Sequence, residues 1–351
     1  MTKKVAVITC YKDPDYVRSR SLRAALKRLD KVELIDIKNS RTGFMRYIEV
    51  PLKTLWIRLV RRPDVYILAF RGYEILPVTR LITIGKQLYF DEFINLIEWV
   101  VYEHKKLKEG SFLHRLLFIM YRFMLLRVQK ILTDTSQHAD YSSKLMKIPR
   151  KRFVAIPVGT DETLFRPQKY TAQLPDTLEV FYYGSMLPLH GVEYVYEAAL
   201  ILKDEAVHFT LIGGNQKIEE QIIECINQGA NITYIKRVAF EELPKYVKKS
   251  DVCLAGPFGK TVQASMVITG KAYQFLACER LTVVGNIGEN LFRDKENCLL
   301  VERGDTGELV DAIKWAKNNP KKLKKIAHAG RRLYEENLSV DRVAEDLATI
   351  L

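Results

Sequence analysis

Short apolar runs alternate with stretches of helical periodicity along most of the chain, and that alternation constrains the fold more than any other feature. Val5-Ala-Val-Ile-Thr9 is a continuous apolar run, as in a strand covered on both faces. Arg18 to Leu29 then sets Leu22, Ala25, Leu26 and Leu29 on one helical face. Strands are expected again at Val32–Ile37, Asp64–Phe70, Thr83–Phe90 and Lys130–Thr133. Strands separated by helices pair in parallel, because a parallel pair needs a crossover long enough to hold a helix. A second set follows Phe165-Arg-Pro167, with strands expected at 179–183, 207–212, 231–235, 251–255 and 281–284. Tyr170 to Asp176 reads as the linker. The expected class is therefore α/β, with two parallel-sheet domains of similar size. Such pairs usually hold ligand in the crevice that separates them.

The length of 351 residues fits two domains. Lys3 and Lys4 lead into a short strand rather than a signal peptide, and no apolar run reaches the ~18 residues of a spanning helix. Cys10, Cys225, Cys253, Cys278 and Cys298 are scattered, without CxxC spacing or neighbouring histidines. That pattern predicts reduced, mostly buried thiols in a cytosol and argues against a zinc site or disulfide framework. The net charge of +13 is lopsided: residues 1–167 hold 32 Lys+Arg against 17 Asp+Glu, and residues 168–351 hold 23 against 25. A basic half joined to a near-neutral one points to an anionic partner for the first half. Uneven solubility charge is the plain alternative. The basic half has no nucleic-acid motif, so no nucleic-acid partner is expected.

Phe181 to Leu202 reads as a strand end, a glycine turn and a helix start. Glu179 to Tyr183 has the aromatic and β-branched content of a strand. Gly184 permits a sharp turn, and Gly191 leaves room for close approach to the backbone. Val192, Val195, Tyr196, Ala199 and Leu202 recur at helical spacing. A helix starting after such a turn aims free N–H groups and a positive dipole end at its ligand, which suits an anion. An ordinary strand-to-helix connection would read the same way. In parallel sheets, ligands gather beyond the carboxyl ends of strands. The loops Cys10–Arg20, Arg71–Glu74, Asp91–Glu92 and Asp134–His138 all lie at such ends and are expected to share one cleft wall.

These motifs resemble the family 4 glycosyltransferases. In the second half the resemblance rests on Gly184 to Gly191, Ile212-Gly-Gly214, Asp251 to Gly259, Gly270-Lys-Ala-Tyr-Gln-Phe-Leu-Ala277 and Leu281 to Gly288. In the first it rests on Thr133-Asp-Thr-Ser-Gln-His-Ala139 and Ile156 to Pro167. It implies the GT-B fold, two Rossmann-like domains facing each other across a deep cleft. The implied division is 1–167 for the acceptor side, 168–335 for the nucleotide-sugar donor, and 336–351 as a C-terminal helix turning back toward the first domain. The implied activity is retaining transfer of a hexose from a nucleoside-diphosphate sugar to an anionic, glycan or lipid-linked acceptor, in envelope polysaccharide or glycolipid assembly. No metal and no cofactor beyond the sugar-nucleotide co-substrate is implied.

Carried over by position, Gly184, Ser185, His190, Gly191 and Gly213 belong to the donor site. Ser185 and His190 stand where the family often has Arg and Lys, so Lys260 and Lys271 are expected to supply the missing charge. Lys271 is the candidate for stabilising the departing diphosphate. Arg237 and Val238 stand where the backbone reads the nucleobase, and Gly288, Glu289 and Asn290 where N–H groups meet phosphate. Gln274 replaces the Glu that holds the ribose hydroxyls, and Met266 replaces its partner Glu. An amide oxygen still accepts from a hydroxyl, more weakly than a carboxylate. The lost carboxylate pair equally fits a catalytically degenerate GT-B scaffold that binds a partner glycosyltransferase or a membrane.

In the first half, Asp91 reads either as a catalytic carboxylate, positioning the acceptor hydroxyl or stabilising an oxocarbenium-like sugar, or as the cap of a helix over 93–103. Glu92, Arg18, Arg20, Arg71 and His138 are acceptor-side candidates, with a structural role the preferred reading for His138. Phe44 to Arg62 interleaves Phe, Ile, Leu and Trp with basic residues, and Pro51 can open a helix there. Such a helix fits the headgroup region of an anionic bilayer. Phe112 to Leu132 has a similar mix but reads better as a core helix. The expected location is cytoplasmic and peripheral at the inner face of the cell membrane.

Overall fold

The structure, a computed structural model, describes residues 2–167 and 177–351; the linker expected at Tyr170–Asp176 lies outside them. The first elements are β1 (Lys3–Thr9), α1 (Val17–Lys27), β2 (Val32–Lys38), α2 (Arg46–Val60), β3 (Val65–Leu68), α3 (Leu76–Ile82), β4 (Gln87–Asp91), α4 (Phe112–Leu125), β5 (Lys130–Thr133), α5 (Ser136–Met146) and β6 (Phe153–Ala155). Then come β7 (Leu178–Gly184), α6 (Val192–Ile201), β8 (Val207–Gly213), α7 (Gln216–Asn227), β9 (Ile232–Ile235), α8 (Leu243–Lys249), β10 (Val252–Leu254), α9 (Gly270–Ala277), β11 (Leu281–Gly285) and β12 (Leu299–Val301). Three helices close the chain: α10 (Thr306–Asn318), α11 (Pro320–Asn337) and α12 (Val340–Ile350). The chain divides into two units, Met1–Gly159 with Val340–Leu351, and Thr160–Ser339.

The first unit has one parallel sheet in the order β2-β1-β3-β4-β5-β6. Its strands alternate between two cores, as side chains of period two must. Val5 and Val7 pack with Leu22, Ala25 and Leu26 of α1, while Ala6 and Ile8 belong to the opposite core with Val50, Leu76, Tyr121 and Ala139. Helix α12 joins the α1 side through Val340, Val343 and Leu347. Each such buried side chain is worth about 1.5–3 kcal/mol over its exposed state. The Tyr89 hydroxyl adds a 2.5 Å bond to the Ile350 carbonyl.

Three expectations change here, and two strands were not foreseen. The strand expected at Thr83–Phe90 begins only at Gln87, because α3 runs to Ile82 and Gly85 turns the chain at φ +79°. Helix α2 starts at Arg46 and carries Pro51 inside, rather than opening at it. Helix α4 is not a core helix: only Tyr121 and Leu125 are buried, and Phe112 is 78% exposed. One stripe of α4 (Leu117, Tyr121, Met124, Leu125) meets the core, while Phe112, Leu116, Ile119 and Phe123 point outward. Finally, β6 and β12, of three residues each, are too short for periodicity to reveal.

The second unit has a parallel sheet in the order β12-β11-β10-β7-β8-β9. From β7 the chain winds one way through β8 and β9, then the other way through β10, β11 and β12. The reversal lies between β7 and β10. A doubly wound sheet opens a binding crevice beyond the carboxyl ends of its strands at that place.

Candidate functional site

The turns following β7 and β10 flank that reversal and are laced together by backbone. Phe258 and Gly259 donate N–H bonds to the His190 and Leu189 carbonyls at 3.2 and 3.1 Å. Gly191 sits at φ +60°, and a Cβ there would lie 2.4 Å from the Gly259 nitrogen, so only glycine fits. The β8 turn closes onto the same place: the Gly214 N–H donates to the Gly184 carbonyl at 3.2 Å, and a Cβ on Gly213 would strike that oxygen at 2.1 Å. Arg303, after β12, donates to the carbonyls of Asn286 and Gly259 and so ties the β11 turn to the β10 turn. Sequence reading overlooked Arg303 because it follows a strand that periodicity did not reveal.

Three side chains bring polarity to this backbone frame. Lys271, in the first turn of α9, is 5% exposed. Its ammonium lies 4.9 Å from the Tyr182 ring centroid and 3.4 Å from where a Gly184 Cβ would stand, with His190 Nδ1 at 3.8 Å from the same point. Burial brings the Lys271 ammonium down to about 7. A cation at a helix start also opposes the helix dipole. Burial, and then the Lys271 charge, hold His190 well below the ordinary imidazole value. Its Nδ1 accepts the Leu187 N–H at 3.3 Å, leaving the proton of the neutral ring on Nε2. Gln274, one turn after Lys271, is buried, and its Oε1 lacks any hydrogen-bond partner among the described residues. An orphan acceptor of this kind is costly unless a ligand donor meets it.

Other donor-side candidates stand nearby in sequence but less tightly placed. Ser185 and Arg237 are exposed, and Val238 is half-buried after β9. Lys260 is exposed and lays its methylenes over Gly304. In the Gly288–Asn290 loop, the Gly288 N–H donates to Asn286 Oδ1 at 3.0 Å, so that group is engaged rather than offered outward. Glu289 is half-buried, Asn290 is exposed, and Met266 is buried.

The first-unit candidates change more. Asp91 and Arg18 are fully buried and paired with each other: Arg18 Nη2 donates to Asp91 Oδ1 at 2.8 Å. The Arg18 Nη1 donates to the Ile156 and Pro157 carbonyls at 2.6 and 2.8 Å. Neither side chain has a face left for an acceptor, so the catalytic reading of Asp91 and the acceptor reading of Arg18 give way to a structural tie. Nor does Asp91 cap the next helix; Asn95 Oδ1 accepts from the N–H groups of Ile97 and Glu98. Glu92 is buried too, accepting from Tyr121 at 2.5 Å and from Ser142, and thereby joining α4 to α5; burial raises its carboxyl above the usual range. His138 is buried. Burial alone would lower it, but its 2.7 Å contact with Asp134 raises it overall.

Arg20 is exposed and donates to the Asp15 carbonyl. Arg71 remains an acceptor-side candidate. It lies 5.4–5.7 Å from the ring centroids of Trp99, Tyr73 and Tyr11 and donates to the Tyr73 hydroxyl. Tyr11, Tyr16, Phe70 and Phe93 continue this aromatic cluster at strand ends. The signal was legible, since Tyr11, Phe70 and Phe93 each stand two positions past the ends of β1, β3 and β4. Among the described residues, no group of three or more His, Cys, Asp or Glu side chains could hold a metal ion.

Residues 177–319 match the family described as Glycosyl transferases group 1. Among solved structures, the chain is similar to HepE from Anabaena in complex with UDP-glucose, at 12% identity and TM-score 0.69, over 99% of this chain and 98% of that one. It is similar to sucrose-phosphate synthase from Thermosynechococcus elongatus, at 15% identity and TM-score 0.74, over 99% and 98%. It is also similar to a glycosyltransferase from Rickettsia africae, at 15% identity and TM-score 0.67, over 99% and 97%. A sequence search of curated proteins found no match. Two parallel-sheet, Rossmann-like units of six strands each make this the GT-B type of fold, and residues 177–319 carry the match to Glycosyl transferases group 1.

Proposed function

We propose that the chain is a retaining glycosyltransferase that moves a hexose from a nucleoside-diphosphate sugar to an anionic or lipid-linked acceptor, in envelope polysaccharide or glycolipid assembly. The observation that carries this reading is the buried Lys271 ammonium beside the Gly184 turn at the sheet's reversal point. A cation held in the interior with no carboxylate partner among the described residues is poised for an anionic ligand, and a diphosphate supplies the compensating charge. During transfer, negative charge grows on the departing diphosphate. Lys271 and backbone N–H groups then stabilise it without reorganisation. Neutral His190 donates through Nε2, and the Gln274 oxygen receives a donor hydroxyl. The HepE complex with UDP-glucose makes a uridine donor the first to try.

The test is calorimetric titration with UDP-, GDP-, ADP- and TDP-glucose, whose diphosphate diesters do not titrate near neutrality. Because Lys271 sits at about 7, it is mostly neutral at pH 8 and must regain a proton to meet the diphosphate. Binding is expected to take up more proton at pH 8 than at pH 6, read from the heats in two buffers. Absence of binding by all four compounds sinks the reading. Binding without proton uptake removes Lys271 from the phosphate site. A scaffold without turnover is the second reading, favoured by Met266 and Gln274 where carboxylates are expected. Donor binding with neither hydrolysis nor transfer selects it.

We also propose that the first unit rests on an anionic membrane surface at the inner face of the cell membrane. Among the described residues, no helix is long and apolar enough to cross a membrane. Helices α2 and α4 lie on the same side of the sheet and expose Leu52, Trp56, Leu59, Ile119 and Phe123. Exposed Arg61, Arg62, Arg115 and Arg127 stand near in sequence, as suits the headgroup boundary. Vesicles containing phosphatidylglycerol should sediment the protein, and neutral vesicles should not. Trp56→Glu with Phe123→Glu should weaken this at least about tenfold, since burying a charge cancels the apolar gain. Equal binding of the double variant counts against this surface.

A further inference from the structure

The second unit carries a groove of about 900 Å³ that the donor-side residues reach only at Asn290. Among its lining residues, Arg293, Lys295, Lys322, Lys325 and Arg332 are cations, against two carboxylates, Glu296 and Glu336. This is a local feature, because residues 168–351 as a whole carry 23 basic and 25 acidic side chains. Arg293 has Glu296 at 3.6 Å and Lys295 has Asp294 at 3.1 Å. Lys322, Lys325 and Arg332 make no ion pair among the described residues. Those three recur at spacings that place them on one face of α11. Like charges so arranged repel one another until an anion lies among them.

Trp315 of α10 lies in the same groove, half-buried against the core. The ammonium groups of Lys295 and Lys322 each stand 5.6 Å from its ring centroid. The groove therefore combines one flat apolar ring with cations spread along the lining.

We propose that this groove binds an acidic oligosaccharide. One sugar ring lies on Trp315, and the carboxylate, sulfate or phosphate groups along the chain meet Lys322, Lys325, Arg332 and Arg293. The shape argues against a bilayer, which docks on protruding apolar side chains; here Ile326 and Leu333 are buried in the lining. Single-stranded nucleic acid stacks successive bases on successive aromatic rings, and this lining offers a single one. The volume is at the upper end of ligand sites and leaves room for several sugar rings. Such a site would retain an acidic glycan beside the donor domain whether or not that domain transfers to it, so it goes beyond the activity proposed above.

The experiment is calorimetry on the full chain with hexagalacturonate, neutral maltohexaose, a short poly(U) strand and phosphatidylglycerol vesicles. Hexagalacturonate is expected to bind, and maltohexaose to bind at least about 100-fold more weakly for want of charge. The exposed triple variant Lys322→Glu, Lys325→Glu, Arg332→Glu should weaken hexagalacturonate at least about 30-fold, because repulsion replaces attraction. Trp315→Phe, which keeps an aromatic ring, should weaken it several-fold. UDP-glucose titration of each variant checks the fold separately, and failure of that titration in the parent chain bears on the transferase reading alone. The proposal is overturned if hexagalacturonate does not bind. It is equally overturned if the triple variant binds it unchanged, which would place the acidic chain on the basic first unit. Loss of poly(U) or vesicle binding in the triple variant, with hexagalacturonate unaffected, overturns it in favour of those partners.

Discussion

Lys271→Met is expected to lower kcat/KM for sugar transfer at least about 10³-fold, the scale on which a preorganised charge stabilises a leaving group. The same substitution should raise the stability of the ligand-free protein. Burial places the Lys271 ammonium at about 7, far below its ordinary 10.5. Below pH 7 the folded and unfolded chains are both protonated, and the full burial penalty is present. Between pH 7 and about 10.4 the unfolded chain keeps a proton that the folded chain has lost, so stability rises with pH through that window. Methionine fills a similar volume without charge, so the penalty and its pH dependence should both disappear. At pH 6.5 the variant should melt at least about 5 °C higher, since a few kcal/mol moves a domain of this size by several degrees. Calorimetric melts across pH, with kinetics at one pH, check both halves. A variant that is less stable and still fully active would show that Lys271 is held by structure, with no part in the chemistry.

Asp91→Ala is expected to destabilise the first unit by about 3–5 kcal/mol, because it strands the Arg18 guanidinium in the interior. The distances explain the size: Arg18 is fully buried, with Asp91 its charge partner and the Ile156, Pro157 and Thr133 carbonyls as further acceptors. Replacing both members, Arg18→Met with Asp91→Leu, removes the stranded charge and should recover most of the loss. Denaturant melts separate the single from the double variant. Transfer activity of the folded double variant decides the role of Asp91. Retained turnover fits the structural tie, whereas a stable double variant without turnover would restore Asp91 to the chemistry.

The alternation of apolar runs with helical periodicity is local information, and it carried the architecture. The β1, β2 and β7 runs, the two-unit division and the glycine turns after β7 and β8 were all legible from spacing and residue type. Where spacing failed, length was the reason: β6 and β12 each present three residues, less than two periods of a strand pattern. Helix α4 misled for a different cause. It is apolar on nearly all sides, so periodicity could not say that only its Tyr121 stripe meets the core.

The site divides along the same line. Sequence alone determined that glycines stand at strand ends in the second half, because Gly184 and Gly213 close β7 and β8, whereas Lys271 and Gln274 lie in α9, well past the end of β10. Only the tertiary structure decided that Lys271, 87 positions after Gly184, is brought against that turn and stripped of water. Only the tertiary structure, likewise, converted Asp91 and Arg18 from candidate ligand contacts into partners. Charge, pKa and availability depend on what surrounds a side chain. Those surroundings come from contacts between strands far apart in sequence, which no local pattern records.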